Sequence, residues 1–270
     1  MKLASLAHGR DGRLVVVSRD LTRATDAFPV VPTLQAALDD WPRHAPRLAD
    51  LAEGLEHGSV PSFRFHEHDC AAPLPRAYQR LDASATGDEP QLSRGASDAW
   101  LGARRPVQAR SEGIAFAARI AVATGDVPMA ATREEALGLI RLVMLVSDVD
   151  LRDRARPSSA CSPVAVTPDE LGGAWQGGRL RLPVIAEVNG KPEVSADPAC
   201  DFGALIADAA ATRGLSAGTI VTAGPVANRA TPLLRFGDTV RIAMKDLSGH
   251  SIFGAIEQEV LPLGGGRAGG

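Results

Sequence analysis

The sequence predicts an α+β fold that is mostly β, and three observations point to it. Short β-branched runs bounded by Gly, Asp and Asn turn signals recur after residue 110. Helical patterns are few and separated, whereas a doubly wound parallel sheet needs them to alternate with strands. No GxGxxG or P-loop sequence is present, so nothing supports a phosphate cradle.

In chain order, residues 3–7 and 14–18 read as a hairpin around Asp11-Gly12. Residues 33–40 and 46–57 read as short helices, the second rich in Ala, Leu and Glu. Residues 58–70, with the polar run His66-Glu67-His68-Asp69-Cys70, read as a linker, and 82–111, rich in Ser, Ala, Gly, Asp and Arg, as surface loop. Residues 114–124 have a strand pattern that ends at Gly125-Asp126. Thr132-Arg133-Glu134-Glu135 is a capping box. Leu137, Ile140 and Met144 are spaced as one face of the helix it would start, with 146–151 as a strand-like exit. Thr167-Pro168-Asp169-Glu170 repeats the box with Pro at the first helical position. Residues 180–188 read as a strand with an Asn189-Gly190 hairpin turn, and Asp201 as the cap of a helix ending near Arg213-Gly214. Strands follow at 219–223, 239–244 and 251–260. The organisation expected is a small N-terminal module over 1–70, a β-rich domain over 71–263 and a disordered Gly-rich tail over 264–270.

Composition excludes several function classes. A net charge of -3, with Lys and Arg scattered among Asp and Glu, predicts no nucleic-acid or membrane-surface partner. Aromatics at 4% offer no base-stacking platform. Cys70, Cys161 and Cys200 are odd in number and far apart, so they make neither a disulfide framework nor a zinc knuckle. No apolar run reaches the roughly 20 residues of a membrane span, and residues 1–10 lack a signal-peptide core. The expected compartment is the cytoplasm.

Several stretches, in series, resemble the fumarylacetoacetate hydrolase family. They include Ala72-Pro73-Leu74-Pro75-Arg76-Ala77-Tyr78, Ala121-Val122-Ala123-Thr124-Gly125-Asp126, Leu145-Val146-Ser147-Asp148-Val149-Asp150, Ser162-Pro163-Val164-Ala165-Val166-Thr167-Pro168 and Phe236-Gly237-Asp238-Thr239-Val240. The resemblance implies a small N-terminal domain, a larger mixed β-roll, a homodimer, and Mg²⁺ or Mn²⁺ held by carboxylates. It also implies cleavage, hydration or decarboxylation of small β-dicarbonyl or 2-oxo acids. A hard cation chelates the two oxygens of such a substrate and stabilises the enolate formed when a C–C bond breaks.

This sequence departs from the family where the metal belongs. The family's two glutamates, one residue apart on a strand, correspond to Ala117 and Arg119; the aspartate after the long helix matches Asp148. A family lysine falls on Arg156, and a substrate-contacting Gly-Thr pair on Gly224-Pro225. The ligand expected after Tyr78 has no counterpart. The expectation is therefore no metal site and no cofactor, the family Mg²⁺ or Mn²⁺ being lost.

The catalytic candidates are Asp148, Arg119, Arg156 and Tyr78, and the substrate-binding candidates are Arg152, Thr219 and Gly224. Asp148 is either a turn aspartate or the ion-pair partner of Arg119 where the metal sat; a guanidinium can bind a substrate carboxylate bidentately. Arg152, Arg154 and Arg156 are either a solvated basic loop or an anion-binding rim. Tyr78 is either a packed ring or a general acid or oxyanion donor. Thr219 begins a strand, and its bland reading is structural. Two functions stay open. One is an enzyme working without the metal on a small oxo-acid or polyketide-like substrate, by dehydration, cyclisation, decarboxylation or C–C cleavage. The other is an inactive relative kept as a binding or dimerisation partner.

Overall fold

The computed structural model describes residues 1–84, 91–150, 159–196, 200–226 and 233–264. The elements are β1 (Lys2–Leu6), β2 (Arg13–Val17), β3 (Arg23–Asp26), α1 (Leu34–Asp39), α2 (Trp41–His57), β4 (Phe63–Arg64), β5 (Gln79–Ala83), β6 (Leu92–Gly95) and β7 (Val107–Ala109). Then come β8 (Ala115–Thr124), α3 (Arg133–Gly138), β9 (Ile140–Asp150), β10 (Ala160–Cys161), β11 (Val164–Val166), β12 (Trp175–Gln176), β13 (Arg179–Leu180), β14 (Val184–Val188) and β15 (Lys191–Ala196). The last are α4 (Phe202–Ala209), β16 (Thr219–Thr222), β17 (Thr239–Lys245) and β18 (Ser251–Pro262). Strands dominate and helices are few, as the turn-bounded β-branched runs predict.

An 11-stranded mixed sheet runs β4-β3-β2-β1-β11-β9-β8-β16-β5-β6, with β10 on β9; a second sheet runs β15-β14-β17-β18-β7. The N-terminal strands join the large sheet through β1, which pairs antiparallel with β11. One apolar core, with Ile120, Val122, Leu145, Ile242, Ile256 and Phe202, fills the space between the two sheets. A second, with Leu34, Leu48, Leu55, Ala121, Met144 and Ile220, lies on the other face under α1 and α2. Among the described residues no helix is long and apolar enough to cross a membrane.

The departures from expectation have physical causes. The Leu137, Ile140, Met144 spacing is not a helix: α3 stops at Gly138 and β9 runs from Ile140. Nearly every residue of β9 is buried. A strand covered on both faces does not alternate, and its apolar run also satisfies a helical template. The 82–111 stretch is not one loop, because β6, β7 and the end of β5 lie in it. The 58–70 linker likewise holds β4 and a 3-10 turn over Glu67–Asp69. The second helix starts at Trp41, with Pro42 in its first turn and Pro46 inside it. The helix expected to end near Arg213-Gly214 ends at Ala209.

Thr132 makes the full capping box with Glu135. Thr167 does not cap its 3-10 segment; its hydroxyl accepts from the Met1 ammonium at 2.6 Å. Asn189 and Gly190 take positive φ of 52° and 74°, the turn geometry their sequence demands. β17 and β18 are interior strands of the second sheet, so their edges give no basis for dimerisation.

Candidate active site

The site grows from strand parity. In the β8–β9 ladder Ala117 faces Asp148, Arg119 faces Val146 and Ala121 faces Met144, so Arg119 and Asp148 share one sheet face. Thr222 of β16 is opposite Ala121, and Asp82 of β5 is opposite Thr222, which puts Arg80 and Asp82 on that face too. Along β8, Ala115, Ala117 and Arg119 are partly exposed, while Phe116, Ala118 and every residue after Arg119 are buried. Within the β8–β9 pair the face therefore opens at the start of β8, beside the end of β9.

There the side chains form a network of two arginines and two aspartates. Arg80 is 5% exposed and Asp148 7%, so each needs a compensating charge. Arg80 donates from Nε to Asp82 Oδ1 at 2.7 Å, from Nη1 to Ser159 Oγ at 2.6 Å and from Nη2 to Asp148 Oδ1 at 3.2 Å. Its guanidinium stacks over the Trp100 ring, 4.7 Å from the centroid. Ser159 donates to Asp148 Oδ1 at 2.7 Å, and Thr222 to Asp82 Oδ1 at 2.7 Å.

On the other side of Asp148, Arg119 Nε lies 3.0 Å from Oδ2. That is ion-pair distance, although the buried Nε–H makes no hydrogen bond among the described residues. Arg119 Nη1 donates to the Ala83 carbonyl at 3.2 Å and the Ala223 carbonyl at 3.0 Å, tying β8 to the ends of β5 and β16. Burial pushes the Asp148 carboxyl up, but Arg80, the Ser159 hydroxyl and Arg119 outweigh it, and the net shift is downward. Burial likewise works against the Arg80 cation, and Asp148 and Asp82 more than offset it. The site thus presents a fixed anion between two fixed cations. It can hold a carboxylate or stabilise an oxyanion; Asp148 is a weak base.

Of the sequence-derived candidates, the structure brings Arg119 and Asp148 together. Arg152 and Arg156 lie outside the described residues. Tyr78 is 66% exposed just before β5, neither a packed ring nor part of the network. Thr219 is fully buried and its hydroxyl donates to the Ser216 carbonyl at 2.8 Å, so it serves its turn and not the site. Gly224 follows Ala223, whose carbonyl receives Arg119.

Sequence reasoning missed Arg80, Asp82, Ser159, Thr222 and Trp100. For Arg80 and Asp82 the signal was their alternation with apolar Leu81 and Ala83, a strand pattern lost in the loop reading. The His66–Cys70 run holds no metal cluster: Glu67 pairs with Arg104 at 2.5 Å, and Cys70 is pushed up to about 12 by burial. Cys161 is fully buried and pushed up to about 12 by the same cause.

Two family models match: the fumarylacetoacetase N-terminal domain 2 over residues 1–76 and the fumarylacetoacetate (FAA) hydrolase C-terminal domain over residues 65–261. No curated protein sequence matches significantly. Among solved structures the chain is similar to maleylpyruvate hydrolase from Sphingobium sp. SYK-6, at TM-score 0.76 and 17% identity, covering 97% of this chain and 100% of that one. The same hydrolase in complex with manganese(II) and pyruvate gives TM-score 0.75 and 19% identity, covering 97% and 99%. A probable 2-hydroxyhepta-2,4-diene-1,7-dioate isomerase from Mycobacterium abscessus gives TM-score 0.74 and 18% identity, covering 97% and 99%.

The manganese in the hydrolase overturns the expectation that the cofactor is lost, and it points to a divalent metal as the cofactor of this family. The described residues do not fit that metal as they stand. Asp148 Oδ1 accepts from Arg80 and Ser159, and Oδ2 faces Arg119. Among the described residues no three His, Cys, Asp or Glu side chains are grouped to hold a metal. The matched segments together span nearly the whole sequence, the large sheet takes strands from both, and the chain belongs to the fumarylacetoacetate hydrolase family.

Proposed function

We propose that this chain is an enzyme acting on a small 2-oxo acid or a related polyketide-like carbonyl compound, at the open end of the β8–β9 face. The observation that carries this reading is Arg119: it pairs with Asp148 and ties one arm to two carbonyls, yet its side chain is still partly exposed at the open end of the face. A substrate carboxylate or carbonyl oxygen meets the exposed side of the guanidinium. When a C–C or C–H bond beside the carbonyl breaks, negative charge moves onto the oxygen, and a fixed guanidinium stabilises it without having to reorganise. Asp148 keeps Arg119 in place, and the Ala83 and Ala223 carbonyls hold its other arm. Dehydration, cyclisation, decarboxylation and C–C cleavage all pass through such an oxyanion. The pyruvate bound by the Sphingobium hydrolase supports the substrate class. The protein works as a homodimer in the cytoplasm on this reading.

One observation favours a second reading, an inactive binding partner: both Asp148 oxygens face cations, which leaves that carboxylate no oxygen free to act as a base. Turnover separates the two. A panel of acylpyruvates and 2-oxo diacids, assayed with Mn²⁺ supplied throughout, is expected to yield at least one substrate. Removing one oxyanion donor costs roughly 10²–10³-fold in kcat, so Arg119→Ala should lose activity on that scale. Binding without turnover in the wild type would establish the second reading, and full activity in Arg119→Ala would remove Arg119 from the chemistry.

A further inference from the structure

We infer that Arg80 is a positioning residue of this site, and that Gly95 is the opening that lets it sit there. This rests on the reading of Arg119 as the cation that meets the ligand. Arg80 spends three separate nitrogens on three partners from different parts of the chain: Asp82 on its own strand, Ser159 before β10 and Asp148 on β9. A planar fork fixes the direction of each bond in a way a lysine ammonium does not. By holding Oδ1 of Asp148, Arg80 turns Oδ2 toward Arg119.

The second observation is independent of the hydrogen bonds. β5 and β6 pair so that Arg80 is opposite Gly95. A Cβ on Gly95 would come 2.7 Å from Arg80 Cδ, 2.9 Å from Arg80 Nε and 2.6 Å from Asp82 Oδ2. Nothing larger than glycine fits while Arg80 and Asp82 hold their present contacts. The strand conformation itself does not need glycine, because Gly95 has no positive φ. The glycine answers a need for space beside the guanidinium.

Arg80 touches no site opening; it is buried under Trp100. Its effect on a ligand runs through Asp148 and then Arg119. Losing the fork removes the directed hydrogen bond to Asp148 Oδ1 and leaves that carboxylate free to rotate. Oδ2 then holds Arg119 less firmly.

The test is the Nε–H signal of Arg119 in ¹⁵N-arginine-labelled protein, assigned by its loss in Arg119→Lys. Pyruvate affinity is measured on the same samples. Arg80→Lys keeps the charge and loses the fork; Gly95→Ala leaves Arg80 intact and takes its space. In folded protein, both are expected to shift the Arg119 Nε–H signal and speed its exchange with solvent, and to weaken pyruvate binding by about tenfold. If Arg80→Lys does not fold, Gly95→Ala decides. An unmoved Arg119 signal would overturn the inference, as would a moved signal with unchanged pyruvate affinity. A wild type that binds no pyruvate would instead sink the oxo-acid reading, and the Arg119 signal would still show whether Arg80 holds that guanidinium in place through Asp148.

Discussion

At the scale of residues, the decisive feature is a charge balance that closes on itself. Arg80 and Arg119 meet Asp82 and Asp148 on one sheet face, and burial makes each dependent on its neighbours. Arg119→Ala should destabilise the fold by about 1–3 kcal/mol, less than for a fully orphaned buried charge, because Asp148 keeps Arg80 and Ser159. Arg119→Ala with Asp148→Ala should cost less than the two single changes summed; strict additivity in denaturant titrations would show that the charges are uncoupled. The pH dependence has a definite sign. Asp148 is held low in the folded state, so its contribution is complete above the unfolded value of about 3.9 and is lost as pH falls through the folded value. Arg119→Ala narrows that difference. Its destabilisation should therefore be larger at neutral pH than at about pH 3, and an equal or larger loss at acid pH would contradict the assignment.

At the scale of elements, what the sequence made legible follows its turns and caps. Asn189-Gly190 and Thr132 with Glu135 carry their own geometry, and both form as read. Thr132→Ala should cost about 1 kcal/mol in thermal or denaturant unfolding, whereas Thr167→Ala should not act through a helix cap. β9 was opaque because its Leu142-Val143-Met144-Leu145-Val146 run is buried on both faces, and an unbroken apolar run has no period to read. β5 was opaque for the opposite reason. Arg80 and Asp82 look like solvated loop residues, and tertiary contacts bury them: β16 and β6 on either side, and Trp100 against the Arg80 guanidinium. Half of the site, Arg119 and Asp148, could be found from family-like flanking motifs. The other half depends on contacts across more than 60 residues of chain, such as Arg80 with Asp148, which no local pattern encodes.

At the scale of the whole molecule, the large sheet makes the N-terminal strands part of the body that carries the site. β1 bonds to β11, β11 to β9, and β9 carries Asp148. Thermal unfolding followed by far- and near-ultraviolet circular dichroism should therefore give coincident transitions, and an early separate loss of the N-terminal strands would contradict this. The homodimer we propose cannot use β17 or β18 as free edges; sedimentation should give twice the 28.2 kDa chain mass, and a monomer at high concentration would remove it. The most direct test of the central claim is calorimetric titration of pyruvate, with Mn²⁺ present, into the wild type, Arg119→Lys and Arg119→Ala. The account predicts saturable binding to the wild type, weakened about tenfold in Arg119→Lys, which lacks the planar fork, and weaker still in Arg119→Ala. Equal affinity in all three proteins would contradict it.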